Sequence, residues 1–226
     1  MSKTMSLLAA LQHGDSFFPS GAASFSWGLE TLFTEEALSD AAGVEAFAKA
    51  QLEGRWATFD RGIVAAAYDA AINFDELCRI DCIVEAQTLA SEMRDGSRRC
   101  GLALLRIHEK IGTPGTAEYQ EHIRASLAYG HQSVMQGFLW AGCGIGKQDA
   151  VAISAHALCV GLLGAALRLG AIGHIDSQRI LNATRQSIED ITRHEPPPPD
   201  GLHAFTPHSE IAVMRHETAE SRLFAN

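Results

Sequence analysis

The apolar residues between Asp40 and Asn73 impose the strongest constraint on the fold of this chain. They recur three or four positions apart, as Val44, Phe47, Ala48, Leu52, Trp56, Phe59 and Ile63. This spacing places the side chains on one face of an α-helix, because about 3.6 residues make one turn. No proline interrupts the segment, so we predict one long core helix against which other helices pack.

Helical spacing of apolar residues continues along most of the chain. It recurs in residues 77–93, 100–111 and 180–191. We expect Asp95-Gly96 to end one helix and Ser97 to cap the next, and we read residues 130–173 as two closely packed helices separated near residues 144–146. No segment of four or more residues alternates apolar and polar side chains in the manner of a strand. The sequence therefore predicts an all-α fold, a single-domain helical bundle of roughly eight to ten helices.

Four consecutive prolines, Pro196 to Pro199, mark the predicted domain boundary. No helix continues through such a run, since proline lacks the backbone N–H and clashes with the preceding turn. We expect residues 1–195 to form the helical bundle domain and residues 196–226 to form a stiff proline spacer and a partner-binding tail. A short helix is expected within this tail, near residues 211–214.

Charge and composition narrow the class of partner. The chain has 226 residues, 46% of them hydrophobic, which is enough to bury a core. Its 27 acidic residues exceed its 18 basic ones, which gives a formal net charge of −9. This charge disfavours nucleic acid or an anionic membrane surface as the main partner and favours a protein surface that is locally basic.

Cysteine usage and hydropathy predict the compartment. The five cysteines form an odd set without a disulfide spacing, and the first residues lack the pattern of a secretion signal. We therefore expect reduced thiols and a cytoplasmic location. The longest apolar stretch, residues 150–167, approaches the length of a membrane span but contains Ser154 and His156. We interpret it as a core helix and predict no membrane contact.

Residues 14–30, with the sequence GDSFFPSGAASFSWGLE, contain the densest local signals. Pro19 and Gly21 predict a tight turn, and we expect Ser24 to Trp27 to open a helix that Glu30 continues. The segment, which we call the corner, would present aromatic rings and hydroxyl groups together. One interpretation is a hydrophobic plug that holds the N-terminus in place.

A second interpretation of the corner is catalytic. Gly14-Asp15-Ser16 resembles the first block of GDSL-type hydrolases, and Asp200 and His203 have the Asp-x-x-His spacing of their triad. The serine of such an enzyme follows a β-strand, whereas residues 7–12 read as helical. The chain also lacks a Gly-x-Asn-Asp block for an oxyanion hole. A serine esterase that uses Ser16, Asp200 and His203 therefore stays an alternative.

The remaining reactive side chains fit no closed site by their spacing. Cys78 and Cys82 lie one helical turn apart without a second pair. Four histidines of the tail region could collect nickel, zinc or copper, which leaves an independent metal-storage protein as a further alternative, but their spacing fits no closed site. Gly142, Gly144 and Gly146 precede Lys147 but depart from the phosphate-binding loop. We predict no catalytic residue, no metal ligand and no cofactor.

A third interpretation of the corner is a resemblance to the UreF family of urease accessory proteins. The residues that fit the N-terminal pattern of that family are Pro19, Gly21, Ser24, Phe25, Ser26, Gly28, Leu29 and Glu30. The resemblance continues at Thr58 to Asp60, Arg94 to Gly101 and Arg168 to Gly173. It is most specific at Met214 to Thr218 and Ser221 to Phe224. The chain departs from the family at Ala22 and Ala23, at Glu220, and at Ala225-Asn226.

The resemblance implies an all-α homodimer without a reaction of its own. Such a protein bridges a nickel-carrying UreG-type GTPase to a UreD/UreH-type accessory protein and, through it, to apo-urease. The partner-binding residues that it implies are Ser24, Phe25, Ser26, Gly28, Glu30, Arg168, Arg215, His216, Glu217, Ser221, Arg222, Leu223 and Phe224. Among them, Glu30 and Arg168 match the surface that faces the GTPase, and residues 215–224 match the segment that orders against the UreD-type protein.

Overall fold

The fold is all-α, as the spacing predicts. The computed structural model describes residues 2–219 and 221–225, and this part of the chain contains no strand. Its α-helices are α1 (Lys3–Gly14), α2 (Leu29–Thr34), α3 (Ala41–Gln51), α4 (Arg61–Asp69), α5 (Phe74–Gln87), α6 (Ser91–Lys110), α7 (Thr116–Arg124), α8 (Gln132–Gly142), α9 (Lys147–Leu169), α10 (His174–Thr192) and α11 (Pro207–His216). Short 3₁₀ turns occupy Ala22–Ser24 and Pro199–Gly201.

The long core helix runs from α3 through α4. A π-helical segment, Leu52–Asp60, joins the two, and the backbone stays in the right-handed helical region at both joints. When α3, the π-helical segment and α4 are counted as one helix, which we call the rod, the described residues contain ten helices, a number within the predicted range. Trp56, Phe59 and Ile63 are each 2% exposed or less, so the predicted face is the buried one.

Two main apolar clusters fill the bundle. The first surrounds α8, which packs against α4 and α6, and it includes Phe59, Tyr119 and Phe138. The second lies between α2, α3, α9 and α10, and it includes Phe224 near the end of the described chain. The tail is therefore part of the core.

The break that we predicted at Asp95-Gly96 is wrong. Helix α6 runs unbroken from Ser91 to Lys110, and the chain instead leaves the helix between Gln87 and Ser91. Gly96 does not end the helix but lets the Phe25 ring pack closely against it, since a Cβ there would lie 2.5 Å from Cε1 of that ring. The Ser97 hydroxyl accepts a hydrogen bond from Gln132 N at 3.2 Å instead of capping a helix.

A buried carboxylate that the sequence did not single out fixes the segment before α8. Asp81 is 0% exposed, and its Oδ2 accepts the N–H of Tyr129 at 2.6 Å and of Gly130 at 2.7 Å. Its Oδ1 accepts the N–H of His131 at 3.0 Å, and the Tyr119 hydroxyl donates to Oδ2 at 3.0 Å. These bonds satisfy backbone donors that no helix pairs.

The proline spacer lies against the rod. The Arg61 guanidinium donates to the carbonyl oxygens of Ile191 (2.6 Å), His194 (2.9 Å) and Glu195 (3.1 Å), and it thereby caps the end of α10. Further on, Phe205 N donates to Gly54 O at 2.7 Å within the π-helical segment. Helix α11 contains the short helix predicted near residues 211–214. The boundary between domain and tail near residue 195 stays a prediction.

Helix α9 is the one helix of the described residues that is long and apolar enough to cross a bilayer. More than half of its most apolar window, 56%, is buried inside the protein. Helices α1, α4 and α10 pack against it. This burial favours the interpretation of α9 as a core helix.

Candidate partner-binding site

The corner forms a turn followed by a short helix that begins later than predicted. Gly21 has a φ of 76°, which only glycine adopts readily, and residues 22–24 form a 3₁₀ turn. Trp27 and Gly28 also have positive φ values, 58° and 84°. Since these angles do not fit an α-helix, α2 begins at Leu29 and not at Ser24.

The Glu30 carboxylate joins the corner to the tail. It is 8% exposed, and it accepts the backbone N–H of Leu223 at 2.6 Å and of Phe224 at 3.0 Å. His216 Nε2 lies 3.1 Å from the same carboxylate. These partners stand 186 to 194 positions from Glu30 in the sequence. The two segments that the sequence selected separately therefore form one site.

A second carboxylate completes the polar network of the tail. Glu92 Oε2 lies 2.8 Å from His216 Nδ1, and Glu92 Oε1 accepts a hydrogen bond from Arg222 at 3.0 Å. Both ring nitrogens of His216 thus face carboxylate oxygens. Glu30, Glu92 and His216 therefore form a largely buried polar bridge between α2, α6 and α11.

Phe224 anchors the end of the tail in the second apolar cluster. Its ring is 5% exposed, and the Arg168 guanidinium carbon lies 4.0 Å from the ring centroid. Arg168 also donates to the Ala23 carbonyl, and Ala225 N donates to Ser24 O at 2.8 Å. Burial lowers the pKa of Arg168, while the charge of Glu30 raises it. The cation–π contact and these bonds hold the tail across the corner.

The thirteen residues that the resemblance selected divide by exposure. The buried ones are Phe25, Ser26, Gly28, Glu30, His216 and Phe224. The exposed ones are Ser24, Arg168, Arg215, Glu217, Ser221, Arg222 and Leu223. A partner can touch only the second group without a change of shape, whereas the first group shapes the surface. Glu220 and Asn226, where the chain departs from the family pattern, lie outside the described residues.

Two further contacts of the exposed residues lie at the surface. Arg215 pairs with Glu35 at 2.9 Å, and Glu217 accepts a hydrogen bond from the Ser91 hydroxyl. Leu223 is 60% exposed, and Phe17, within the corner, is 91% exposed. Large apolar side chains in water beside a polar network are typical of surfaces that bind other proteins.

The sequence missed Glu92 and the Ser91 hydroxyl. Both residues lie in the first turn of α6, a solvent-facing part of an amphipathic helix, where acidic and hydroxyl residues are common. Nothing in the local spacing distinguishes them from ordinary surface residues. Their role depends on α11, which lies more than 100 positions later.

The geometry does not support the esterase alternative. Ser16 follows helix α1, and the described residues contain no strand on which a catalytic serine could stand. His203 is exposed, and its Nδ1 lies 3.3 Å from the Gly201 carbonyl oxygen. Its backbone N–H donates to Thr58 O at 3.2 Å, which holds this segment against the rod.

We predict that Gly28→Ala lowers the free energy of unfolding by about 3 kcal/mol. The substitution adds backbone strain at a φ of 84°, and the new Cβ would lie 2.8 Å from the Ser209 carbonyl oxygen of α11. Gly21→Ala is the matched control. Gly21 has a similar φ of 76° with no atom within 4 Å of an added Cβ, so strain alone should cost about 1 kcal/mol. Chemical denaturation measures the free energy of unfolding of both variants. Equal losses would show that a Cβ at position 28 does not clash with α11.

Comparison with known proteins gives matches along nearly the whole chain. The UreF family model matches residues 38–185. A urease accessory protein UreF of Bacillus sp. (strain TB-90) is 31% identical over 227 residues, which covers 96% of this chain and 98% of the relative. The UreF proteins of Haemophilus influenzae and Streptococcus thermophilus are 28% and 27% identical, with 99% and 96% of this chain and 97% and 93% of each relative covered. The chain belongs to the UreF family of urease accessory proteins.

Proposed function

We propose that this protein is a scaffold for urease maturation, which bridges a UreG-type GTPase and a UreD/UreH-type accessory protein during nickel insertion into apo-urease. In this proposal it catalyses no reaction of its own, and nickel is cargo. It acts in the cytoplasm, as a homodimer. Membership in the UreF family supports the pathway.

The observation that carries the proposal is the junction at Glu30. The corner and the tail, which the family resemblance assigns to two different partners, contact each other through the Glu30 carboxylate. In this proposal, a partner that displaces the tail also changes the surface offered to the other partner, which would couple the two binding events.

The exposed residues have the chemistry of a protein interface. Two arginines, Arg168 and Arg222, and the apolar Leu223 side chain are all exposed. Arginine is enriched among the residues that contribute most of the binding free energy at interfaces, and an exposed leucine adds apolar area that a partner can bury. The formal net charge of −9 favours a partner with basic regions opposite the rest of this surface.

We expect the double variant Arg222→Ala/Leu223→Ala to bind an immobilised UreD-type protein at least tenfold more weakly than the wild type. The substitutions remove an exposed cation and an exposed apolar side chain, each of which would contribute about 1 kcal/mol or more as an interface anchor. Affinity is measured by surface plasmon resonance, and complex formation with the GTPase by pull-down. Both side chains are exposed, so the fold should persist, which circular dichroism verifies.

The matched control is Ile72→Ala. Ile72 is 95% exposed at the turn between α4 and α5, outside the residues proposed to bind partners. It should bind like the wild type. Unchanged affinity of the double variant would contradict the proposed tail contact. Hydrolysis of p-nitrophenyl esters by the isolated protein, lost in Ser16→Ala, would contradict the non-catalytic role.

A further inference from the structure

Three side chains with metal-binding chemistry meet where three helices end. His13 lies in the last turn of α1, His108 lies in the last turn of α6, and Cys143 directly follows α8. One ligand atom of each residue lies within 4.8 Å of those of the other two. The group lies apart from the carboxylate network of the tail, and the partner-binding proposal does not use it.

Two nitrogens in this group are buried without a hydrogen-bond partner. They are His13 Nδ1 and His108 Nε2, on rings that are 8% and 0% exposed. The two rings stack with centroids 4.9 Å apart and planes inclined by 21°. An unsatisfied buried nitrogen costs about 1–3 kcal/mol, so two in contact need a physical explanation. Coordination of a cation would satisfy a nitrogen of this kind.

The surrounding side chains orient the His108 ring. Its Nδ1 lies 2.9 Å from the Thr113 hydroxyl, and that hydroxyl lies 3.8 Å from Cys143 Sγ. If Nδ1 carries the proton and donates to Thr113, the lone pair is left on Nε2, the nitrogen without a partner. Metal-binding histidines are commonly held in this way, with the second nitrogen bonded to a neighbouring acceptor.

The protonation states also suit a cation. Burial lowers the pKa of His13, and burial together with the neighbouring His13 ring lowers the pKa of His108 to about 4. Both rings are then neutral at pH 7 and keep a free lone pair. Burial raises the pKa of the Cys143 thiol, so the thiol is protonated at pH 7 and metal binding must release its proton.

We propose that His13, His108 and Cys143 bind a divalent transition-metal ion of the borderline class, such as Zn²⁺ or Ni²⁺. Two imidazoles and a thiolate suit this class, whereas Mg²⁺ and Ca²⁺ require oxygen ligands. Ligand atoms around a tetrahedral ion with bonds of about 2.0–2.3 Å lie roughly 3.5 Å apart. The group must therefore contract by about 1 Å, which small side-chain rotations allow.

A cavity of about 300 Å³ reaches one of the three proposed ligands, His13. His13 and Phe18 line one part of it, and Ala22, Ala23 and Arg168 line the part at the corner. The cavity is mainly apolar but includes the side chains of Gln132 and Gln136. An entry path is one requirement of a metal site.

The test begins with full-length protein stripped with a chelator and titrated with Co²⁺ and Zn²⁺ at pH 7. We expect one equivalent of Co²⁺ to produce a thiolate-to-cobalt charge-transfer band, which Zn²⁺ abolishes by competition. Cys143→Ser should remove the band, and His108→Gln should weaken binding at least tenfold. The control Cys82→Ser, which changes an exposed cysteine, should keep the band.

A second measurement uses the unmodified protein, in case a variant fails to fold. Bound Zn²⁺ should protect Cys143 from alkylation while Cys82 reacts at its usual rate, as read by mass spectrometry. A wild-type protein without a charge-transfer band, or a band that survives Cys143→Ser, would overturn the proposed site. Partner binding by Cys143→Ser should equal that of the wild type, so failure of the metal site and failure of the scaffold role are distinguishable.

Discussion

Asp81→Ala is expected to lower the free energy of unfolding by about 4 kcal/mol, the largest effect that we predict for a single substitution. The Asp81 side chain is fully buried and accepts the N–H groups of Tyr129, Gly130 and His131 as well as the Tyr119 hydroxyl. Removal of the carboxylate leaves all four donors without a partner in the interior. Most domains have a total stability of about 5–15 kcal/mol, so this variant should unfold at a much lower denaturant concentration.

Two controls separate the lost hydrogen bonds from the lost charge. Asp81→Asn keeps one acceptor oxygen that can face Tyr129, Gly130 and Tyr119, so it should lose less stability than the alanine variant. Asp75→Ala changes an exposed aspartate in the first turn of the same helix and should cost about 0.5 kcal/mol through the helix dipole. A loss below about 1 kcal/mol in Asp81→Ala would show that water or other groups satisfy these donors.

The second large effect is expected at Glu30. Glu30→Ala should raise the population of undocked tail more than a hundredfold, because it costs the docked state about 3 kcal/mol. The substitution removes the acceptor of the Leu223 and Phe224 N–H groups and leaves His216 with Glu92 as its remaining carboxylate partner. Hydrogen exchange of the Leu223 and Phe224 amides measures the change directly.

Glu35→Ala is the matched control for Glu30→Ala. Glu35 follows the same helix, but it pairs at the surface with Arg215 at 2.9 Å. An exposed pair of this kind contributes about 0–1 kcal/mol, so exchange at the end of the tail should change little. If Glu30→Ala leaves the exchange of both amides as slow as in the wild type, the carboxylate does not hold the tail.

The docked tail has a consequence for assembly. Phe224 is buried under Arg168, so a partner that binds the Phe224 side chain must first displace it from the second apolar cluster. A partner that contacts Arg222 and Leu223 can bind while Phe224 stays buried. If the partner binds Glu30→Ala more tightly than the wild type, it binds the displaced Phe224 side chain. The variant has already lost part of the free energy that keeps the tail docked.

The sequence by itself determined the helical class, the long rod, and the residues of the corner and the tail. Helical periodicity is a local property, since residues three and four apart share a face whatever they pack against, and the spacing of Val44 to Ile63 was sufficient to predict a buried rod. The residues of the corner and the tail were selected by family resemblance, which names positions but not their contacts.

Only the tertiary structure decided which distant residues meet. Glu30 bonds to the tail, the Phe25 ring lies over Gly96, and His13, His108 and Cys143 converge in one place. The residues joined by these contacts lie 35 to 194 positions apart in the sequence. Gly96 looked like a helix end because glycine is common there, but packing against a ring overrode that preference. Local spacing contains no information on such pairs, because they depend on how whole helices are placed against each other.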